Sequence, residues 1–338
     1  MTRTPIRPAG EVRRPRPPAS LPRGLTAGLA LCLAVLVLAV LVLVVTTRSG
    51  GPGSPATRPP GVQHPGAGGR AADPAAPAID WPGDGQAAYT TSLLPGIRTS
   101  GAAGPVPIAS VTKVMTAYLV LRAAPLRPGE EGPTLTMTQA DADDAVRRRQ
   151  QGESVVPVVA GERLTELEAL EALLLPSANN MAVVLARFSA GSVDAFVDRM
   201  NEAAAGLGMT GTHYTEPSGI DAATVSTAAD QLVLFTAALA DPVLASVTGT
   251  TTATLPVAGT VTNTDTLLGR DGFTAGKTGS HAAAGGCLVF RAVRQVDGRA
   301  VTITGVVLGQ RDGPLVPAAL TAAERLVDAV AGSADARR

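Results

Sequence analysis

Lysine is nearly missing from this chain of 338 residues, which has two lysines against 26 arginines. Positive charge is therefore supplied almost entirely by arginine, whose guanidinium stays protonated in proteins, whereas a buried lysine amine can lose its proton. The two exceptions are Lys113, in Ala-Ser-Val-Thr-Lys, and Lys277, in Gly-Lys-Thr-Gly, and each stands close to hydroxyl side chains. We expect these two positions to need an amine that arginine cannot replace.

Cysteine is equally scarce, and two cysteines cannot form a disulfide framework. Cys32 lies in a long apolar run near the N-terminus, and Cys287 lies in an apolar segment where we expect a small core residue. The folded part of the chain must therefore be stabilised by its hydrophobic core.

Aromatic residues, histidine and net charge are also low, and each absence excludes a class of function. Aromatics make up 3% of the chain, so stacking surfaces for bases or sugars are few. A formal net charge of zero gives no indication of a nucleic-acid partner. The three histidines, His64, His213 and His281, show no metal-ligand spacing, so the sequence predicts no metal and no cofactor. They also give little support to a Ser-His-Asp hydrolase.

The N-terminal region predicts a membrane anchor. Residues 1–24 are polar and rich in arginine, and residues 25–45 carry no charge. A helix needs about 20 apolar residues to cross a bilayer, whereas the apolar part of a secretory signal is shorter, about 7–15 residues, and ends in small residues. The run here ends in Val-Val-Thr-Thr-Arg. We expect a transmembrane helix at 25–45 with a cytoplasmic tail at 1–24, although cleavage of this segment stays open.

The rest of the chain would then lie outside the cell membrane. Residues 46–78 are dominated by Gly, Pro and Ala, a composition typical of a disordered linker. Residues 79–335 are long enough for one domain with a sizeable core. We therefore predict a single-pass membrane protein with an extracytoplasmic catalytic domain at 79–335.

The predicted elements alternate between strands and helices. Strands at both ends of the domain with helices between them favour an α+β fold with an antiparallel sheet. Asp297-Gly298 is a strong hairpin signal between two apolar runs. The predicted elements are a hairpin over 86–94 with a return near 97, helices at 110–124, 165–175, 180 onward, 192–205 and 227–240, strands at 251–257, 260–263, 285–296 and 299–308, and a helix at 315–330.

The first predicted helix carries a candidate nucleophile. It is apolar on nearly every side, so we expect it to be buried, and Ser110 and Lys113 share one face because they stand three residues apart. A serine hydroxyl needs a base, and lysine serves as one only when burial or a nearby cation lowers its pKa. Lys277 could be that cation. Taken alone, the spacing also fits a helix N-cap serine followed by a solvent-reaching lysine.

Two further motifs have polar groups suited to a peptide substrate. In Ser177-Ala-Asn179, a second hydroxyl could relay protons, and an amide could bind a peptide carbonyl or orient Lys113. In Lys277-Thr278-Gly279, the amine and hydroxyl suit a carboxylate, and the glycine lets a substrate backbone approach. Taken alone, the first motif also fits an ordinary loop, and the second also fits an ordinary strand end.

Together and in this order, the three motifs are those of penicillin-binding proteins and serine β-lactamases. The sequence resembles the D-alanyl-D-alanine carboxypeptidase family of low-molecular-mass penicillin-binding proteins, serine peptidase family S11, over about residues 84–310. Four segments carry the resemblance: PIASVTKVMTAYLVL, GERLTELEALEALLLPSANNMAVVLA, MTGTHYTEPSGID and DGFTAGKTGSHAAAGGCLVF.

The resemblance implies the serine β-lactamase fold, in which a five-stranded antiparallel sheet is flanked by helices and joined by a helical lobe. It also implies a peptidoglycan stem peptide ending in D-Ala-D-Ala as substrate and β-lactams as inhibitors. Ser110 would form an acyl-enzyme with the penultimate D-Ala, Lys113 would be its base, and Ser177 would pass a proton to the departing D-Ala.

The same resemblance implies the residues that bind the substrate. Asn179 would hold the amide on the acyl side, and Lys277 and Thr278 would bind the terminal carboxylate in the motif that Gly279 completes. The backbone N–H of Ser280 would form an oxyanion hole together with that of the nucleophile, the kind of stabilisation often worth ~3 kcal/mol per donor. One departure is Ala178, where family members usually have glycine.

Other functions fit part of the same pattern. A D,D-endopeptidase would use the same residues. A β-lactamase would need a glutamate to activate water, for which Glu216 is the candidate, and a membrane-tethered protein that binds β-lactams or cell wall without catalysis is a third alternative. The run Arg147-Arg148-Arg149 is expected on a solvated face.

Overall fold

A five-stranded antiparallel sheet forms the centre of the fold, as predicted. The computed structural model describes residues 79–94 and 96–333. Strand order in the main sheet is β2-β1-β11-β10-β9, and three two-stranded ribbons pair β3 with β6, β4 with β5 and β7 with β8. The strands are β1 (Gln86–Thr91), β2 (Arg98–Gly101), β3 (Val106–Pro107), β4 (Thr134–Thr136), β5 (Arg163–Thr165), β6 (Val225–Ser226), β7 (Thr252–Leu255), β8 (Gly259–Thr262), β9 (Phe273–His281), β10 (Gly285–Val296) and β11 (Arg299–Gln310).

The described residues contain eight α-helices, of which six correspond to predicted helices. They are α1 (Lys113–Ala123), α2 (Gln139–Gln150), α3 (Glu166–Leu174), α4 (Asn179–Ala190), α5 (Val193–Gly206), α6 (Ala228–Ala238), α7 (Pro242–Gly249) and α8 (Leu315–Gly332), all within the described residues. Helices α2 and α7 were not predicted. The helix expected from position 110 begins instead as a 3₁₀ turn over Ala109–Thr112, and α1 continues from it.

The two faces of the sheet pack against different helices, because side chains alternate along each strand. On β10, Leu288 and Phe290 face α8, and they join one core cluster with Leu326 and Val327 of that helix. Cys287 and Val289, which alternate with them along the strand, belong to the second cluster, which contains residues of helices α1 to α7. Cys287 is fully buried, so its predicted place in the core is confirmed.

A capping box explains where helix α3, which precedes the Ser-Ala-Asn motif, begins. The predicted capping box is confirmed: Thr165 accepts from the Glu168 backbone N–H, and the Glu168 carboxylate accepts from the Thr165 N–H. Helix α3 ends at Leu174, just before Pro176, and α4 begins at Asn179. The short connection 175–178 therefore joins two buried helices and fixes the position of the Ser-Ala-Asn motif.

The predictions for residues 1–24, 25–45 and 46–78 lie outside the described residues. Within the described part, no single helix combines the length and hydropathy needed to cross a bilayer. Two consecutive pairs, α4 with α5 and α6 with α7, reach that threshold only jointly, across bends of 84° and 113°.

Candidate active site

The candidate nucleophile lies on a tight turn at the start of α1. Ala109 has a left-handed backbone with φ of 47° and is followed by Ser110, the partly exposed member of the turn. Gly219 packs directly on this turn, since a Cβ added there would lie 1.8 Å from the Ala109 carbonyl oxygen. The hydroxyl of Thr112 donates to the same carbonyl at 2.8 Å. The turn is therefore held from both sides.

Lys113 is buried and surrounded by three oxygen atoms. Its Nζ lies 2.7 Å from Ser110 Oγ, 2.7 Å from Asn179 Oδ1 and 2.8 Å from the Ser218 carbonyl oxygen. Two of these, the amide and backbone oxygens, can only accept hydrogen bonds. A neutral amine would give its two protons to them and direct its lone pair at the Ser110 hydroxyl, which is the arrangement that a general base requires.

The electrostatics of the pocket favour the neutral form of Lys113. Burial holds the pKa of Lys113 well below its ordinary value, and the positive charge of Lys277 lowers that pKa further. Burial also lowers the pKa of Lys277 to about 7, an effect that the charge of Asp265 partly offsets. Both side chains are fully buried. The expected pairing of the chain's two lysines in one pocket is therefore present in the structure.

Ser177 lies between the two lysine-bearing elements. Its backbone is left-handed, with φ of 64°, and its hydroxyl accepts a 3.0 Å hydrogen bond from Lys277 Nζ. A left-handed non-glycine residue costs on the order of 1–3 kcal/mol, and such residues cluster at functional sites. The neighbouring residue, Ala178, is fully buried.

The edge strand β9 forms one wall of the site and carries the third motif. Lys277 Nζ donates to the Thr278 carbonyl at 2.8 Å, and the Thr278 hydroxyl lies 2.5 Å from that of Thr264. Ser280, further along the strand, is exposed. The three motifs thus meet, although they are separated by up to 170 residues in the sequence.

The structure gives Gly279 a different reason to be glycine from the one expected. A Cβ at this position would lie 2.9 Å from the backbone nitrogens of Ser110 and Val111 and 3.0 Å from the Ile108 carbonyl oxygen. The backbone that approaches Gly279 therefore belongs to the turn that carries Ser110. From the sequence, we had expected the backbone of a substrate to make this approach. This close approach positions β9 beside the N–H of Ser110.

One charged residue predicted to be solvated is part of the site's surroundings. Arg147 and Arg149 are exposed, but Arg148 is half-buried, and the prediction of a uniformly solvated run is wrong. Arg148 Nη1 donates to Glu153 Oε2 at 2.8 Å, and Asn179 Nδ2 donates to the same oxygen at 2.8 Å. Glu153 was not identified from the sequence. The available signal was an acidic residue that closely follows the run of three arginines.

Glu216 has a structural role in the turn that it occupies. Its carboxylate accepts from the backbone N–H and hydroxyl of Ser218, at 2.8 and 2.6 Å, and from the Gly219 N–H. This turn presents two carbonyl groups to α1, because Thr116 donates to the Pro217 oxygen at 2.6 Å and Lys113 donates to that of Ser218. The geometry does not favour Glu216 as the water-activating base of a β-lactamase.

Neither of the two histidines in the described part of the chain forms a hydrogen bond with Ser110. His213 forms a backbone bridge with Val225. His281 lies at the end of β9, where its Nδ1 accepts from the Ala284 N–H at 3.1 Å. Burial and the charge of Arg311 lower the pKa of His281. Among residues 79–94 and 96–333, no three side chains of the metal-ligating types cluster together.

Known proteins resemble this chain in sequence over part of its length. A D-alanyl-D-alanine carboxypeptidase DacB2 from Mycobacterium tuberculosis is 41% identical over 146 residues, which is 41% of this chain and 50% of that protein. A D-alanyl-D-alanine endopeptidase from Escherichia coli strain K12 is 33% identical over 55% of this chain and 59% of its own length. The chain thus spans little more than half the length of these relatives.

Solved structures match a larger share of the fold. The crystal structure of the Streptomyces K15 DD-transpeptidase has a TM-score of 0.64 and 28% identity, covering 74% of this chain and 98% of that one. The family model described as D-alanyl-D-alanine carboxypeptidase, peptidase S11, matches residues 99–312, well over half of the chain. The chain therefore belongs to the D-alanyl-D-alanine carboxypeptidase family, peptidase S11.

Proposed function

We propose that this protein is a serine-type D-Ala-D-Ala carboxypeptidase that acts on peptidoglycan stem peptides and is acylated by β-lactams. The observation that carries the proposal is the surroundings of Lys113: a buried amine 2.7 Å from Ser110 Oγ, with its other two neighbours able only to accept. Family membership supports the class of substrate, and the surroundings of Lys113 support its role as the base.

The reaction proceeds in two steps, acylation of Ser110 and hydrolysis of the acyl-enzyme. Ser110 Oγ bonds to the carbonyl carbon of the penultimate D-Ala while Lys113 takes the hydroxyl proton. The carbon–nitrogen bond then breaks, and the leaving D-Ala amine receives a proton by way of the Ser177 hydroxyl. Water attacks the ester in the second step, so that its hydrogens end on the Ser110 oxygen and on the released carboxyl group.

Binding groups on β9 and α4 orient the peptide for this attack. Lys277 and Thr278 bind the terminal carboxylate, for which a cation and a hydroxyl are suited. Asn179 donates to a carbonyl on the acyl side. The backbone N–H groups of Ser110 and Ser280 stabilise the oxyanion, as preorganised donors do in acyl transfer.

The direct test uses the full chain in detergent, a stem peptide ending in D-Ala-D-Ala, and a fluorescent penicillin. We expect wild type to release D-alanine and to be labelled, and Ser110→Ala to do neither. Ser246→Ala, an exposed serine on α7, is the matched control and should behave as wild type. Labelling that persists in Ser110→Ala would overturn the assignment of the nucleophile.

Product analysis separates the alternative functions. The names of the relatives include an endopeptidase, so cross-linked muropeptides should be tested beside linear ones, with mass spectrometry of the products. Cleavage of cross-links without D-alanine release would favour endopeptidase activity, and rapid turnover of a cephalosporin would favour a β-lactamase. Penicillin labelling without any peptide cleavage would favour a non-catalytic binding protein.

We also propose that residues 25–45 anchor the protein in the cell membrane, with the catalytic domain on the outer side. The support is the uncharged run of 21 residues after an arginine-rich start. Cell fractionation should find the full chain in the membrane fraction, with the domain open to added protease in spheroplasts. A mature protein that begins beyond residue 45 by mass spectrometry would show cleavage of this segment.

A further inference from the structure

We propose that Glu153 is a positioning residue that fixes the orientation of the Asn179 amide, and that Arg148 holds Glu153 in place. The inference rests on the proposed function, because it concerns the surroundings of the proposed base Lys113. Glu153 Oε2 accepts hydrogen bonds of 2.8 Å from both Asn179 Nδ2 and Arg148 Nη1. Arg148 is itself fixed by a 2.7 Å bond from its Nε to Asp144.

Glu153 removes an ambiguity in the pocket. An asparagine amide has a donor end and an acceptor end of nearly equal shape. A neutral Lys113 could satisfy either end, by donating to Oδ1 or by accepting from Nδ2. An ionised carboxylate only accepts, so Nδ2 must face Glu153 and Oδ1 must face Lys113, at the observed 2.7 Å. The reversed amide would occupy the lysine lone pair that Ser110 needs.

The same orientation leaves a donor for the substrate. Nδ2 of Asn179 carries two protons, and Glu153 takes one of them. In the part of the chain that the structure describes, the other proton meets no protein acceptor. It is therefore free to bind a peptide carbonyl on the acyl side of the scissile bond.

The backbone beside Glu153 makes this arrangement rigid. The Ser154 carbonyl accepts from the Asn179 N–H at 2.8 Å. Asn180 pairs with both backbone groups of Val156, accepting from its N–H at 3.2 Å and donating to its carbonyl at 3.0 Å. The segment 153–156 is thus attached to the first turn of α4. The exposed fractions of the Glu153 and Arg148 side chains are only 12% and 15%, so water screens their charges weakly.

The charges of Glu153 and Arg148 should affect the pH dependence of acylation, which a purely structural role would not. Four charged groups act on the pKa of Lys113: Lys277 and Arg148 lower it, and Glu216 and Glu153 raise it. Acylation needs neutral Lys113, so its rate falls on the acid side of that pKa. Removing the charge of Glu153 should move this acid limb to lower pH, and removing that of Arg148 should move it to higher pH.

The experiment measures the rate of acylation by a fluorescent penicillin from pH 4 to 9 (about 0.5-unit steps are sufficient to place a titration that spans about two units). The full chain is compared with Glu153→Gln, Glu153→Ala and Arg148→Met. We expect opposite shifts of the acid limb for Glu153→Gln and Arg148→Met. Glu153→Ala should lower the maximal rate roughly 10- to 100-fold, the size expected for one lost hydrogen bond to a charged group.

Matched controls are Arg149→Met, an exposed arginine next to Arg148 on α2, and Glu202→Gln, an exposed glutamate on α5. Both should leave the pH profile unchanged. Shifts in the same direction for Glu153→Gln and Arg148→Met, or an unchanged rate and profile, would overturn the inference. If Glu153→Ala does not fold, the isosteric Glu153→Gln decides the question. A wild type that penicillin does not acylate would refute the proposed function instead.

Discussion

At the scale of single residues, the site depends on what each side chain can donate or accept. Lys113 is useful because two of its three neighbours only accept, which directs its lone pair to the third. Arginine cannot take this role, since its guanidinium keeps its proton and has no lone pair to offer. The scarcity of lysine in the chain is therefore most informative at position 113.

Lys113→Arg tests this point. We expect the variant to keep a positive charge but to lose acylation by penicillin about 10³-fold or more, within the range that general bases contribute. The check is the rate of labelling, with circular dichroism to verify that the variant folds. Lys277→Arg is the comparison and should mainly weaken substrate binding. Near-normal acylation in Lys113→Arg would contradict the role of Lys113 as base.

The pH dependence of turnover should separate the two lysines. Lys277 has a pKa of about 7 in the free protein, so it is charged below pH 7 and loses its attraction for a carboxylate above it. Lys113 must be neutral for the reaction, and its lowered pKa places the acid limb of the profile at a lower pH than the alkaline limb. We expect kcat/KM for a stem peptide to be bell-shaped, with an alkaline limb near pH 7. A profile that stays level from pH 6 to 9 would contradict this assignment.

Motif spacing was enough to predict the residues that the structure brings together around Lys113, but it could not predict the residues that position them. Ser110, Lys113 and Lys277 stand in short, recognisable motifs. Glu153 reaches Asn179 across 26 residues, and Ser218 contributes a backbone oxygen, which any residue type would supply. Side chains brought in by tertiary folding, and backbone groups in general, leave no pattern in the sequence.

At the scale of elements, the site depends on how closely β9 approaches the turn before α1. The strand and the turn touch through the backbone, and Gly279 has no side chain to keep them apart. Most of the flanking elements were predicted, because their apolar periodicity is strong. Helices α2 and α7 were missed although both have start signals, namely a capping box at Thr138 and Asp141 and an Asp241-Pro242 start.

Gly279→Ala should separate the strand from the nucleophile turn. The added Cβ would meet two backbone nitrogens at 2.9 Å, and neither can move like a flexible side chain. We expect a loss of acylation of about 100-fold or more, because the backbone N–H groups of Ser110 and Ser280, which we propose as oxyanion donors, would be displaced. Gly206→Ala at the end of α5 is the control, since a Cβ there meets nothing within 4 Å. Equal rates for the two variants would contradict this account of Gly279.

At the scale of the whole molecule, stability should depend on pH through a carboxyl group outside the site. Glu166 is fully buried at the first position of α3, and among the described residues neither of its oxygens has a hydrogen-bond partner. Burial raises the pKa of Glu166 from 4.5 to about 7. The folded protein therefore keeps this proton where the unfolded chain releases it, and the free energy of unfolding falls as pH rises from about 4.5 to about 7.

Glu166→Gln should remove this dependence. Between pH 5 and 8, we expect the variant to gain on the order of 2 kcal/mol of unfolding free energy relative to wild type. Urea unfolding at both pH values is the measurement, with the exposed Glu202→Gln as control. A difference between variant and wild type that stays constant with pH would mean that Glu166 does not titrate in this range.

The strand order has a consequence for biosynthesis. In the central sheet, β1 pairs on one side with β2 and on the other with β11, whose last residue is Gln310. During translation, more than 200 residues must therefore be synthesised after β1 before its second neighbour exists. Such distant pairings form slowly, so the sheet would still be open when Ser110 has been synthesised, and the pocket around Ser110 would be assembled only after most of the domain has been made.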